Sequence, residues 1–194
     1  QKPILYPDSE LPIVDPETIG DADTLGETEQ KTLEIVKAAI QNGERALIYT
    51  SWVRTDSQQK LKKFLTDEGY RTEILTDKIK TNDREDWVQK KLAAGMQVLI
   101  VNPSLVETGL DLNAFTTLVF YSMGYKLFTL RQASRRSWRI NQKAPAVKVY
   151  MLYYEDTMQQ KCLKLMASKL AVAGLIEGNF SEEGLAAMSD VQDM

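Results

Sequence analysis

A chain of 194 residues, 43% hydrophobic and 26% charged with a net charge of −3, is long enough for one well-packed domain with a remainder at an end. It has no histidine and one cysteine, Cys162, which excludes an internal disulfide framework, fits a reducing cytoplasm, and sets aside serine–histidine, cysteine–histidine and zinc chemistry. No apolar run approaches the ~18 residues of a membrane span, so no membrane partner is expected, and the acidic start is unlike a secretory leader.

In chain order, residues 1–28 hold four of the six prolines and seven acids against one base, and read as an acidic, proline-rich linker or arm. The first residue is Gln1, so we expect the chain to be a piece of a larger protein. Helical spacing runs through Thr32–Ile40 and stops at Asn42-Gly43, and Ala46–Thr50 is a short buried-type strand. The pattern then predicts a helix over Ser57–Glu68 closed by Gly69, a strand over Arg71–Leu75, and a helix over Asn82–Ala94 with Gly95 as its cap. Gln97–Val101 and Thr117–Tyr121 are strongly apolar strands, and the basic segment after Tyr121 has helical spacing. Val147–Leu152 is a fifth strand, followed by a helix from Asp156 to Ala173. The boundaries expected are an arm over 1–28, one domain over 29–176 and a tail over 177–194, with a short helix over Glu182–Met188. Short strands alternating with longer helices mean a parallel sheet covered on both faces, whose ligands bind at the carboxyl ends of the strands.

The charge is unevenly placed. Between Leu112 and Tyr154 there is no acid, yet there are seven bases: Lys126, Arg131, Arg135, Arg136, Arg139, Lys143 and Lys148. That segment carries +7 and the rest of the chain −10, which points to an anionic partner. A solvated basic face is the structural alternative. On a helix over Phe128–Ile140, Gln132, Arg136 and Arg139 fall at i, i+4 and i+7, on one face. Ala133, Ser137 and Ile140 repeat that spacing one residue on and make a small face suited to packing. Arginine suits bidentate contact with phosphate, so the stripe could grip a triphosphate or several backbone phosphates.

A second constellation is Glu107-Thr-Gly-Leu-Asp-Leu-Asn113, in the loop after the strand that ends at Val101. Gly109 permits close approach of backbone to a ligand, and Asp111 could accept from a ribose hydroxyl, orient an arginine, or close an Asx turn. There is no G-x-x-x-x-G-K-[ST] phosphate loop and no acidic pair to hold magnesium, so the arginine face is half of a nucleotide site. Asn102-Pro103-Ser104 could be taken for a methyltransferase strand-end motif. However, no second proline or aromatic follows it and no glycine-rich cofactor loop precedes it. Trp87 and Trp138 could stack bases, although tryptophans on helices are usually packed, and Cys162 reads as a small buried hydrophobe.

Taken in order, these segments resemble the second, C-terminal RecA-like domain of superfamily 2 helicases and translocases, closest to the Swi/Snf-type branch. Ala46-Leu-Ile-Tyr-Thr-Ser51 is similar to that domain's first motif, of the LIFSQF kind. Asn102–Asn113 stands where the family has its TRAGGLGLNL or ARGLD loop. Gln132-Ala-Ser-Arg-Arg-Ser-Trp-Arg-Ile-Asn-Gln142 looks like QAxxRxxRIGQ, the motif that supplies arginine fingers. Asp83-Arg84, with the helix ending at Gly95, resembles the R…F…G segment. Val106-Glu107-Thr108 replace the family's paired glycines, Asn141 replaces the glycine of RIGQ, and Trp138 stands where histidine is usual. These departures resemble a divergent, phage or mobile-element-like branch.

The resemblance implies a RecA-like α/β three-layer sandwich with a mostly parallel sheet. It implies ATP with Mg2+, bound mainly by an N-terminal RecA-like domain of the same longer protein. Arg136 and Arg139 would be catalytic, reaching the γ-phosphate across the cleft, with Gln132, Gly109 and Asp111 on the ATP. Thr50, Ser51, Asn102, Pro103 and Arg84 would follow a nucleic-acid backbone, DNA rather than RNA, without reading sequence. No metal ligands are expected within the chain, and alone it should not hydrolyse ATP. The alternative is a non-catalytic nucleic-acid or protein-binding module with a relic helicase fold.

Overall fold

The computed structural model of the chain describes residues 26–50, 57–106, 110–121, 137 and 145–177, with the backbone alone over 169–177. The elements are α1 (Glu27–Gln41), β1 (Ala46–Tyr49), α2 (Ser57–Asp67), β2 (Thr72–Leu75), α3 (Arg84–Ala93), β3 (Val98–Val101), β4 (Thr117–Phe120), β5 (Lys148–Met151) and α4 (Met158–Glu177). One sheet of order β2-β3-β1-β4-β5 contains all five strands, every neighbouring pair parallel. In register, Ala46 lies between Val98 and Thr117, and Tyr49 between Val101 and Phe120.

The unbroken burial of β1, β3 and β4, apolar throughout except for Thr117, follows from this architecture, because a strand covered on both faces has no side to leave in solvent. Alternate residues feed two separate clusters. Ala46, Ile48, Val98, Ile100 and Val119 pack with Ile35 and Val36 of α1 and Leu61 and Leu65 of α2. Leu47, Tyr49, Leu99, Val101, Leu118 and Phe120 pack on the other face with Val88 of α3, Met166 of α4, and Leu110, Leu112 and Phe115. The Tyr49 and Phe120 rings stack with centroids 4.9 Å apart. Trp87 is packed against this second cluster with the Lys91 ammonium over its ring, and Cys162 is half-buried beside it.

Local chemistry fixes the ends of the helices. Glu27 and Glu29 sit in the first turn of α1, where the helix dipole favours anions. The chain leaves α1 through Asn42 and Gly43, whose φ of +74° is the left-handed region glycine enters without strain. The Thr157 hydroxyl accepts from the Gln159 amide at 3.2 Å and donates to the Tyr154 carbonyl at 2.6 Å, so the last helix starts at Met158 and not at Asp156. That helix also runs past Ala173, through Gly174, to Glu177. A single interior glycine costs about 1 kcal/mol of propensity, which the flanking Ala171, Val172, Ala173, Leu175 and Ile176 leave tolerable. Among the described residues no helix is long and apolar enough to cross a membrane.

Candidate functional site

The carboxyl ends of the strands form one row. The Thr50 amide donates to the Val101 carbonyl at 3.1 Å, the Tyr121 amide to Tyr49 at 3.0 Å, and the Leu152 amide to Phe120 at 3.1 Å. Thr50, at the end of β1, therefore stands between Asn102, after β3, and Tyr121, after β4. From β1 the chain turns towards β2 and β3, and from β4 it turns the other way, towards β5. The crevice between β1 and β4 is thus a switch in winding direction, the position where parallel α/β sheets bind ligands. Thr50 and Tyr121, the last described residues before residues 51–56 and before the basic segment in sequence, both stand at that crevice.

Thr50 is buried as a whole, and its amide is taken by the Val101 carbonyl. Asn102 closes an Asx turn: its Oδ1 accepts from the Ser104 amide at 2.9 Å and the Ser104 hydroxyl at 2.7 Å. Pro103 is buried beneath this turn and Ser104 is exposed above it. Asp111 is half-buried, and its Oδ1 accepts from the Asn113 amide at 3.1 Å while Oδ2 accepts from the Asn113 carboxamide at 3.3 Å. This is the Asx turn the sequence left open for Asp111. An ionised carboxylate has about four acceptor positions, so the turn leaves capacity for a hydroxyl.

Arg84 is turned inward. It is 9% exposed, and its Nε donates to the Ile79 carbonyl at 3.2 Å and its Nη1 to the Leu105 carbonyl at 2.9 Å. This differs from the outward phosphate contact expected of it; the charge is held beneath the loop that carries Asn102 and Ser104.

Ser137 is helical and fully buried, on the packing face that its spacing with Ala133 and Ile140 predicts. Gln132, Arg136, Arg139, Arg131, Arg135, Trp138, Ser51, Gly109, Ala133 and Ile140 lie outside the described residues, as do the N-terminal arm and the C-terminal tail.

Two features of the site carry no signal in the sequence. The Tyr121 hydroxyl donates to Glu29 of α1 at 2.7 Å, and burial together with the Glu29 carboxylate pushes that phenol well above its ordinary value, keeping it a donor. Glu85, beside Arg84, accepts from the Asp111 amide at 2.9 Å. Among the described residues no group of histidine, cysteine or acidic side chains could hold a metal ion.

Comparison with known proteins places these features in a wider group. Residues 29–141 match the family described as helicase conserved C-terminal domain. The chain is 23% identical over 152 residues to the ATP-dependent helicase fft3 of Schizosaccharomyces pombe, covering 77% of this chain and 16% of that protein. It is 26% identical over 153 residues to the chromatin-remodeling ATPase INO80 of Mycosarcoma maydis, covering 77% of this chain and 8% of that one. The chain therefore spans a small fraction of the length of these relatives. Its fold is similar to the crystal structure of the C-terminal part of the Fun30 ATPase domain, with a TM-score of 0.67 and 19% identity over 76% of this chain and 47% of that one.

Proposed function

Because this chain belongs to the helicase conserved C-terminal domain family, we propose that it is the second motor half of an ATP-dependent nucleic-acid translocase. ATP and Mg2+ would be held mainly by a first RecA-like domain carried elsewhere in the same longer protein. Arg136 and Arg139 would enter the cleft as arginine fingers, with Gln132 positioning them and Gly109 and Asp111 lining the nucleotide side. Charge that develops on the γ-phosphate in the transition state would be met by two guanidinium groups that stay protonated at any working pH.

The observation that carries this reading is the position of Tyr121, the residue from which the basic segment continues in sequence. Tyr121 stands at the switch between β1 and β4, with the Asn102 turn and Thr50 on the same edge. Arginines following that strand end in sequence, in a chain with no phosphate loop, would suit a triphosphate brought from outside. Thr50, Ser51, Asn102 and Pro103 would form the edge that follows a sugar–phosphate backbone, with buried Thr50 and Pro103 supporting the contact and exposed Ser104 making it, which gives affinity without sequence preference. Arg84 would support that loop from behind. DNA is the partner proposed, and the cytoplasm the compartment.

The test is ATP turnover by the longer protein with and without nucleic acid. Wild type should be stimulated, and Arg136→Ala should lose the stimulated turnover while melting at the wild-type temperature. Nucleic-acid binding without any ATP turnover in the wild type would instead support a binding module that keeps only the fold.

A further inference from the structure

The first turn of α3 touches the loop after β3 at two places. Arg84 Nη1 donates to the Leu105 carbonyl at 2.9 Å, and one residue later the Glu85 carboxylate accepts the Asp111 amide at 2.9 Å. Leu105 lies just beyond the Asn102 turn, and Asp111 opens the Asx turn to Asn113. Two adjacent side chains thus hold the two flanks of one loop, the first by donating and the second by accepting.

Each is fixed in turn. Arg84 also donates through Nε to Ile79, which prevents its fork from rotating away from Leu105. Glu85 accepts at its other oxygen from Gln89 Nε2 at 3.2 Å, one helical turn further on. The Glu85 carboxylate thus accepts from Gln89 on one side and from the Asp111 main-chain amide on the other. Asp111 passes the restraint to Asn113 through its own carboxylate. Apolar anchors alone would hold the loop to the sheet, since Val106, Leu110 and Leu112 are buried. Apolar packing is non-directional, however, and does not fix where the Asp111 carboxylate points. A charge-assisted hydrogen bond from the Asp111 amide to Glu85 fixes the main chain from which that carboxylate projects, and the bonds from Asn113 then set its direction.

We propose that Glu85, oriented by Gln89, is a positioning residue for Asp111, and that with Arg84 it ties the nucleic-acid flank of the loop to its nucleotide flank. This rests on the motor reading given above. Through α3, displacement of the Asn102–Leu105 flank by a bound backbone is transmitted to Asp111 without any ligand contact by Glu85 itself.

The experiment has two arms, each comparing wild type with Glu85→Ala and Glu85→Gln. In this chain alone, hydrogen exchange at the Asp111 amide is measured by NMR. Glu85→Ala should speed it at least about tenfold, since a hydrogen bond to a charged acceptor is lost. Glu85→Gln, whose carbonyl still accepts, should leave exchange near the wild-type rate. Unchanged exchange in Glu85→Ala, or equal acceleration in both variants, overturns the proposal. In the longer protein, Glu85→Ala should lower nucleic-acid-stimulated kcat by roughly 10- to 100-fold, as small misplacements of positioning groups do, and Glu85→Gln should restore it. Unchanged stimulated turnover in a Glu85→Ala protein that shows fast exchange overturns the coupling. If the wild type shows no stimulated turnover, the motor reading fails, while the exchange arm still decides whether Glu85 holds Asp111.

Discussion

Glu44 accepts from the Lys148 ammonium at 2.7 Å and from the Thr117 hydroxyl at 2.6 Å. The bond from Lys148 and then that from Thr117 hold its carboxyl below the ordinary value of 4.5. A carboxylate depressed in the folded state contributes fully above the unfolded-chain value, and the contribution is lost as pH falls through the lower folded value. Glu44→Gln should therefore lower Tm by a few degrees at pH 7, and the gap from wild type should close as the buffer is taken down to about pH 3. A gap that persists at low pH would show that the charge is not what Glu44 contributes. The pair also shows where the sequence misleads. Between Leu112 and Tyr154 no acid accompanies the bases, yet Lys148 finds one far back in the chain, because β5 and the turn before β1 meet at the amino-terminal edge of the sheet. The Asx turn at Asp111 was one of the readings that the sequence left open, because a short polar side chain there can bond the amide two residues on, whereas the turn at Asn102 was not foreseen. Nor was the Glu85 bond to Asp111, since no periodicity connects a helix's first turn to a loop 26 residues away.

At the scale of elements, the strands announced themselves because burial on both faces demands unbroken apolar runs. The helix ends did so through Gly43, Gly69 and Gly95, all at positive φ. These glycines are not equivalent. At Gly43 an added Cβ meets nothing within 4 Å, whereas at Gly95 it would collide with the Arg71 guanidinium, which donates to the Ala94 carbonyl at 3.2 Å. Gly43→Ala should cost about 1–2 kcal/mol of backbone strain alone. Gly95→Ala should cost more, because Arg71 must also leave Ala94. Urea denaturation of both variants checks this, and equal losses would mean that Arg71 moves aside at no cost. The end of α4 was less legible, because the glycine that stops helices elsewhere is here passed by a long apolar helix.

For the whole molecule, a parallel sheet of order β2-β3-β1-β4-β5 places the end of β1, the Asn102 turn after β3 and Tyr121 after β4 along one edge. The alternation of short strands and helices made the layered fold readable. It could not give the strand order, which depends on how each crossover packs across the sheet. On the proposed motor reading the two halves of the charge distribution acquire a meaning at this scale, since arginines brought to that edge would meet an anion from outside. By itself the chain should show no ATP hydrolysis above buffer in a coupled phosphate-release assay, since it contains no phosphate loop. Turnover by the pure chain would place a complete nucleotide site within it and remove the need for a second domain. The most direct test of the central claim is nucleic-acid-stimulated ATP turnover by the longer protein carrying Arg139→Ala. The finger assignment predicts a loss of about 10³-fold or more in a variant that melts like wild type. Near-normal turnover in that folded variant would contradict it.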